Sequence, residues 1–287
     1  MTAIWKSEAG GQAVLARYAE FLQHWPAPNA QRRIATAHGE TFVISSGPQG
    51  APDVVLLHGS VSNAASWMGD AATLSQRFRV HAVDMIGEPG FSAPARPPLA
   101  SHVYADWLGE VLAGLGIQRA ALVGISLGGW LALEYATRRP ETVSAVVLLC
   151  PGGVGRHKNI LLWALPLLLL GRWGRQKIMA RMAGGAAPPA ASPEVQAYGE
   201  FMDLIFANVR PRTEVLPPFS DAELARLSMP LLAILGAKDV MIDSAGTRER
   251  LVGNAPNAEV QWLPEAGHLL IGHAATIDGF LAKVLDP

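Results

Sequence analysis

Six short strand-like runs punctuate this chain, most of them apolar at consecutive positions: "DVVLLHG" (53–59), "RVHAVDM" (79–85), "RAALVGIS" (119–126), "VSAVVLLC" (143–150), "PLLAILGAKD" (230–239) and "AEVQWLPEAG" (258–267). A strand with one wet face alternates apolar and polar residues. A run that does not alternate needs both faces covered, which is the condition of a parallel sheet between two layers of helix. Stretches with helical spacing lie between most of the runs, at about 65–77, 101–115, 127–139, 245–253 and 270–285. Ahead of them, a helix is expected over 9–24, and "RRIATAHGETFVISSG" reads as two strands turning at His38-Gly39. The expectation is an α/β fold: a mostly parallel eight-stranded sheet with an antiparallel edge and helices on both faces.

One interval breaks the alternation. From Gly152 to Met229 no comparable strand run occurs, the composition shifts to Leu, Trp, Met, Arg and small residues, and "GGAAPPAAS" (184–192) reads as hinge-like. A structureless loop of that length inside a compact domain is improbable, so a helical cap is expected over 152–229, between core segments 1–151 and 230–287. Ser220 and Glu223 in "SDAELARL" have the spacing of a capping box just before the chain returns to the sheet. The leucine-rich stretch 160–170 fits cap core, an acyl-binding wall or a lipid-facing patch, with core packing favoured.

Charge and cysteine content narrow the function classes. Basic residues number 23 and acidic residues 24, with no long block of one sign, so nothing provides a field for nucleic acid. The single cysteine, Cys150, cannot form an internal disulfide and reads as a buried structural thiol. "MTAIWKSEAGG" lacks the pattern of a secretory leader, and "ILLWALPLLLLG" (160–171) is too short to span a bilayer and is interrupted by Pro166. A cytoplasmic monomer or homodimer without an integral membrane segment, acting on a small molecule, is expected.

The chemistry concentrates at strand ends. In "LVGISLGGW", Ser126 follows a strand run and precedes a helix, so it must make a sharp strand-to-helix turn; Gly124 and Gly128 relieve the crowding of that turn. Serine is a poor nucleophile at neutral pH and needs a base, which needs an orienting acid. His268 in "LPEAGHLL" follows the last strand run, and Asp239 in "LGAKDVMID" follows the run before it. His273, placed inside the last helix, and Asp243 are their competitors. Asp84 and His58 read as loop braces. Two amides are expected to receive an oxyanion: that of Leu127, and that of Ser60 in "LLHGSVSNAASW", with Val61 as the alternative to Ser60. Each of Trp67, Trp130, Trp163 and Trp173 could line an acyl pocket, with core packing the commoner role. No HExxH, no CxxC and no G-x-G-x-x-G after the first strand run is found, so neither metal nor organic cofactor is expected.

Taken in order, "HGS", "VDMIGEPGFS", "GISLGG", "GAKD" and "AGH" resemble the α/β-hydrolase-fold serine hydrolases over nearly the whole chain. Within them, "AVDMIGEPGFSAPARP", "YADWLGEVLAGLGI" and "GISLGGWLALEYATRRPE" are similar to bacterial carboxylesterases that hydrolyse aryl-propionate esters. The resemblance implies a Ser126, Asp239, His268 triad and hydrolysis of small to medium esters with hydrophobic acyl or aryl groups through an acyl-enzyme. A lactonase, thioesterase, acyltransferase or perhydrolase would use the same triad, and a non-catalytic small-ligand binder would use the same fold. The chain departs from the pattern at "DMIGEPGFS", which has an additional residue between the glycines of the rim loop, and at "HGSVS", which is poorer in glycine than the loops of carbon-carbon bond hydrolases and proline iminopeptidases.

Overall fold

Eight strands form a single sheet in the computed structural model, which describes residues 4–159, 161–185 and 193–285. They are β1 (Asn29–Thr36), β2 (Gly39–Ser46), β3 (Asp53–Leu57), β4 (Arg79–Val83), β5 (Ala120–Ile125), β6 (Val143–Leu149), β7 (Leu231–Gly236) and β8 (Ala258–Leu263). The order across the sheet is β1-β2-β4-β3-β5-β6-β7-β8. β1 with β2 and β2 with β4 pair antiparallel, and the other pairings are parallel.

Consecutive apolar residues are needed because successive side chains of a strand enter different cores. In β3, Val55 and Leu57 join Trp107, Leu108 and Leu131 on one face. Val54 and Leu56 join Tyr18, Leu74, Ile277 and Leu281 on the other. The first face is covered by α3 (Val103–Leu115) and α4 (Leu127–Arg138); the second by α1 (Glu8–Gln23), α2 (Met68–Leu74) and α10 (Ala274–Leu285). Each fully buried aliphatic side chain contributes about 1.5–3 kcal/mol, so the strand pattern is also the main source of stability.

The chain runs from β3 to β4 on one side and then returns to place β5 on the other side of β3. The loops leaving β3 and β5 therefore part from each other at a point where the winding direction reverses, which opens a crevice at the strands' carboxyl ends. Leu57 is in register with Gly124, so the two exits are adjacent.

Between β6 and β7 lie α5 (Leu161–Leu168), α6 (Gly171–Met182), α7 (Pro193–Asn208) and α8 (Asp221–Leu224), with α9 (Ser244–Asn254) following β7. No strand occurs among the described residues of that interval. Ser220 caps α8 and Glu223 returns the bond, forming the expected capping box. α7 packs against the start of the chain: Phe201 stacks on Phe21 at 5.0 Å between centroids, and Lys6 donates to the carbonyls of Phe206 and Ala207 at its end. Core packing does not hold for Leu165, Leu169 and Leu170, which are exposed, Leu169 by 83%, whereas Leu167 is half-buried and the side chains of Leu161, Leu162 and Leu168 lie outside the described residues. Residues 186–192, most of the hinge-like stretch, lie outside the described residues. No described helix is long and apolar enough to cross a membrane.

Candidate active site

Ser126 stands between β5 and α4 with φ 52 and ψ −108, a conformation outside the regions favoured by side-chain-bearing residues. Such a backbone costs about 1–3 kcal/mol and persists only where its surroundings hold it. Here the Ser126 N–H donates to Leu149 O at 2.9 Å, and the Ser126 carbonyl accepts from Trp130 N at 2.9 Å and Gly152 N at 3.2 Å. The flanking glycines are required by space. A Cβ on Gly124 would lie 2.3 Å from Gly128 O, and one on Gly128 would lie 2.1 Å from Leu57 O, both rigid backbone atoms.

His268 and Asp239 converge on this serine from the loops after β8 and β7. His268 Nε2 is 3.0 Å from Ser126 Oγ, and His268 Nδ1 is 2.7 Å from Asp239 Oδ2. Asp239 is held by its other oxygen: Oδ1 accepts the N–H groups of Met241 at 2.7 Å and Ile242 at 2.9 Å. That leaves Oδ2 for the imidazole and sets Nδ1 as the protonated nitrogen, so Nε2 presents its lone pair to the serine. Lys158 donates to the Asp239 carbonyl at 2.7 Å.

His268 is also fixed through its backbone. Its N–H donates to Met182 O at 2.7 Å, and its carbonyl accepts the Cys150 thiol at 2.9 Å. Gly267 permits this approach of α6, because a Cβ there would lie 2.2 Å from Met182 O. Neither contact was legible beforehand: Met182 acts through a carbonyl, which every residue has, and Cys150 reads only as an apolar strand end. Burial disfavours the imidazolium of His268, but the Cys150 sulfur and the Asp239 carboxylate outweigh it and raise the pKa above the ordinary 6.5.

The competing residues have other roles. Asp243 caps α9 by accepting from Gly246 N at 3.1 Å. His273 was expected inside the last helix, yet α10 begins at Ala274; His273 precedes it, and its carbonyl accepts the Ile277 N–H. Asp84 braces the rim, accepting from Tyr18 Oη at 2.8 Å, Ala64 N at 2.9 Å and Phe91 N at 2.7 Å. Burial raises its pKa to about 6 despite those bonds. His58 accepts from Met85 N through Nε2 at 2.9 Å, so Nδ1 carries the proton and donates to Gly59 O at 2.8 Å. Burial lowers its pKa to about 4, keeping the ring neutral.

Of the two expected oxyanion donors, Leu127 follows the serine directly and Ser60 follows Gly59, which approaches it. The Leu127 amide opens α4, and no acceptor for it occurs among the described residues. Gly59 brings the β3 exit against the serine: a Cβ there would lie 3.8 Å from Ser126 Cβ. The Ser60 amide, next in the chain, likewise has no acceptor among the described residues. Val61, the alternative to Ser60, is already committed, since its N–H donates to Glu88 Oε2 at 2.7 Å. Of the tryptophans, Trp67 and Trp130 are buried in the two cores, Trp173 is exposed, and the Trp163 side chain lies outside the described residues. Among the described residues Cys150, Asp239 and His268 bring potential metal-donor atoms within 4.8 Å of one another. The imidazole and carboxylate of that grouping hydrogen-bond each other, so Nδ1 and Asp239 Oδ2 are already partnered.

The chain is similar to known proteins over most of its length. Residues 54–277 match the model of the alpha/beta hydrolase family. Carboxylesterase YbfK of Bacillus subtilis is 30% identical over 258 residues, covering 88% of this chain and 86% of that protein. Among solved structures, naproxen esterase (carboxylesterase NP) of Bacillus subtilis superposes with a TM-score of 0.82 at 27% identity, over 98% of this chain and 100% of that one. Carboxylesterase CesB (YbfK) of the same organism superposes with a TM-score of 0.81 at 26% identity, over 97% and 99% of the two chains. With its sheet order, the turn at Ser126 and these matches in hand, the chain belongs to the alpha/beta hydrolase family.

Proposed function

We propose that the protein is a serine carboxylesterase that cleaves small to medium carboxylic esters bearing hydrophobic acyl or aryl groups. The observation that carries this reading is the line of hydrogen bonds from Ser126 Oγ through both nitrogens of His268 to an Asp239 carboxylate whose second oxygen is anchored. His268 Nε2 takes the Ser126 proton as Oγ attacks the ester carbonyl, and Asp239 stabilises the imidazolium that forms. The Leu127 and Ser60 amides receive the oxyanion; one such donor contributes about 3 kcal/mol to lowering the barrier. His268 then protonates the departing alcohol, leaving an acyl group on Ser126. Water, deprotonated by the same imidazole, releases the acid.

The interval 152–229 serves as the cap of this site. Its insertion between β6 and β7 and the bond from the His268 N–H to Met182 O, at the end of α6, support that role. Esters fit the reading because the similar proteins are carboxylesterases and because the cap interval carries the apolar stretch 160–170. Turnover of p-nitrophenyl acetate, butyrate, octanoate and palmitate tests it. The expected outcome is greatest kcat/KM on butyrate or octanoate; a maximum on palmitate that rises further at a lipid interface points to a lipase, and no turnover of any ester contradicts the reading.

The pH dependence follows from the state of His268. The imidazole must be neutral to accept the serine proton, and its pKa lies above 6.5. kcat/KM therefore rises with pH and levels off only above that pKa, with the inflection of a pH-rate profile on the alkaline side of 6.5. An inflection at or below 6.5 contradicts the pairing described.

A further inference from the structure

The turn Gly87-Glu88-Pro89-Gly90, where this chain departs from the usual rim loop, holds a charged residue that is 1% exposed. Loop glutamates ordinarily face water, so burial of Glu88 calls for a compensating role. Its Oε2 accepts the Val61 N–H at 2.7 Å. Val61 has φ 57, in the left-handed region that β-branched residues avoid, so its peptide relaxes elsewhere unless tertiary bonds hold it. The same turn grips the loop a second time, since Pro89 O accepts from Asn63 Nδ2 at 2.8 Å. Burial pushes the Glu88 pKa up, and Arg212, whose Nε is 3.8 Å from Oε1, offsets part of that cost.

The held peptide adjoins the proposed oxyanion donor. Ser60 precedes Val61, and Gly59 before it approaches the Cβ of Ser126. We infer that Glu88 is a positioning residue of the acyl-transfer reaction: by fixing the Val61 N–H it locks the left-handed peptide that aims the Ser60 N–H at the oxyanion. This inference rests on the esterase reading. An oxyanion exists only during the reaction, so losing its alignment acts on kcat and spares ground-state binding. A residue that served stability alone would lower the melting temperature and leave the kcat of folded enzyme unchanged.

The test compares Glu88→Ala, Glu88→Asp and Glu88→Gln in the full chain, with p-nitrophenyl butyrate turnover expressed per site titrated by a fluorophosphonate. Glu88→Ala is expected to lower kcat about 10–100-fold with KM within about 3-fold, and to weaken an aryl trifluoromethyl ketone, whose adduct carries the oxyanion, by the same factor as kcat. Glu88→Gln keeps an acceptor oxygen for Val61 and recovers most of the loss. Glu88→Asp, one methylene short, does not, and the Gln and Asp pair decides the matter if the Ala variant fails to fold. Unchanged kcat per site in the Ala and Asp variants, an effect confined to KM, or a Gln variant no better than Asp overturns the inference. Turnover that survives in Ser126→Ala would instead overturn the esterase reading beneath it.

Discussion

Replacing Ser126 with alanine lowers kcat on a p-nitrophenyl ester by about 10⁴–10⁶-fold and leaves the fold in place. The magnitude follows from the role: losing the nucleophile removes the covalent route entirely, and what remains comes from oxyanion stabilisation and substrate binding alone. The fold survives because the turn is held by backbone. The Ser126 N–H reaches Leu149 O and its carbonyl receives two amides, whereas its hydroxyl contacts His268 Nε2. Alanine tolerates φ 52 about as poorly as serine does, so the strain is retained and the melting temperature changes little. Steady-state turnover with thermal denaturation checks both parts. A variant that keeps more than about a tenth of wild-type kcat would place the nucleophile elsewhere.

Asp239→Asn is expected to be nearly as damaging, by about 10⁴-fold in kcat at neutral pH, although it removes no atom of the hydrogen-bond frame. Two backbone amides, of Met241 and Ile242, point at Oδ1. The asparagine carbonyl must satisfy them, so its NH₂ is forced toward His268 Nδ1. An N–H donor facing Nδ1 selects the tautomer protonated at Nε2, which can no longer accept the Ser126 proton. Binding should be little affected, so KM stays within about 3-fold while kcat falls. Equal kcat in Asp239→Asn and wild type would show that Asp239 does not set the tautomer. Asp243, which caps α9, offers a control: Asp243→Asn retains a capping oxygen and is expected to leave kcat unchanged.

What the sequence made legible, and what it did not, divides along physical lines. Strands buried on both faces announce themselves as unbroken apolar runs, which mark most of the strands from β3 onward, while β1 and β2 are marked by the turn at His38-Gly39; a crossover sheet then puts reactive side chains at the strands' carboxyl ends. Ser126, Asp239 and His268 could be singled out because each follows such a run directly and no equivalent side chain competes for the role at the sixth strand, which ends in "LLCPGG". Glu88 could not be placed. A glutamate among glycine and proline reads as a solvated loop, and its partners Val61 and Arg212 are remote in the chain. The Met182 contact was hidden for a different reason, since a main-chain carbonyl leaves no mark on the residue type. Leu165, Leu169 and Leu170 misled in the opposite sense: hydrophobicity favours burial but does not guarantee it, and these side chains face outward. The apolar pattern suggests a helix start at 270, four residues ahead of Ala274, because "LLIG" continues that pattern through an irregular segment in which Gly272 has φ 81.

A covalent bond to Ser126 is central to the proposed reaction, and the mass of the protein after reaction measures it most directly. Fluorophosphonate treatment of the wild-type chain, followed by digestion and peptide mapping, is expected to give one phosphonyl adduct, on the peptide containing Gly124-Ile125-Ser126-Leu127-Gly128, and none on Ser126→Ala. An adduct on any other serine, or ester turnover undiminished in a chain whose Ser126 is shown to be unmodified, would contradict it.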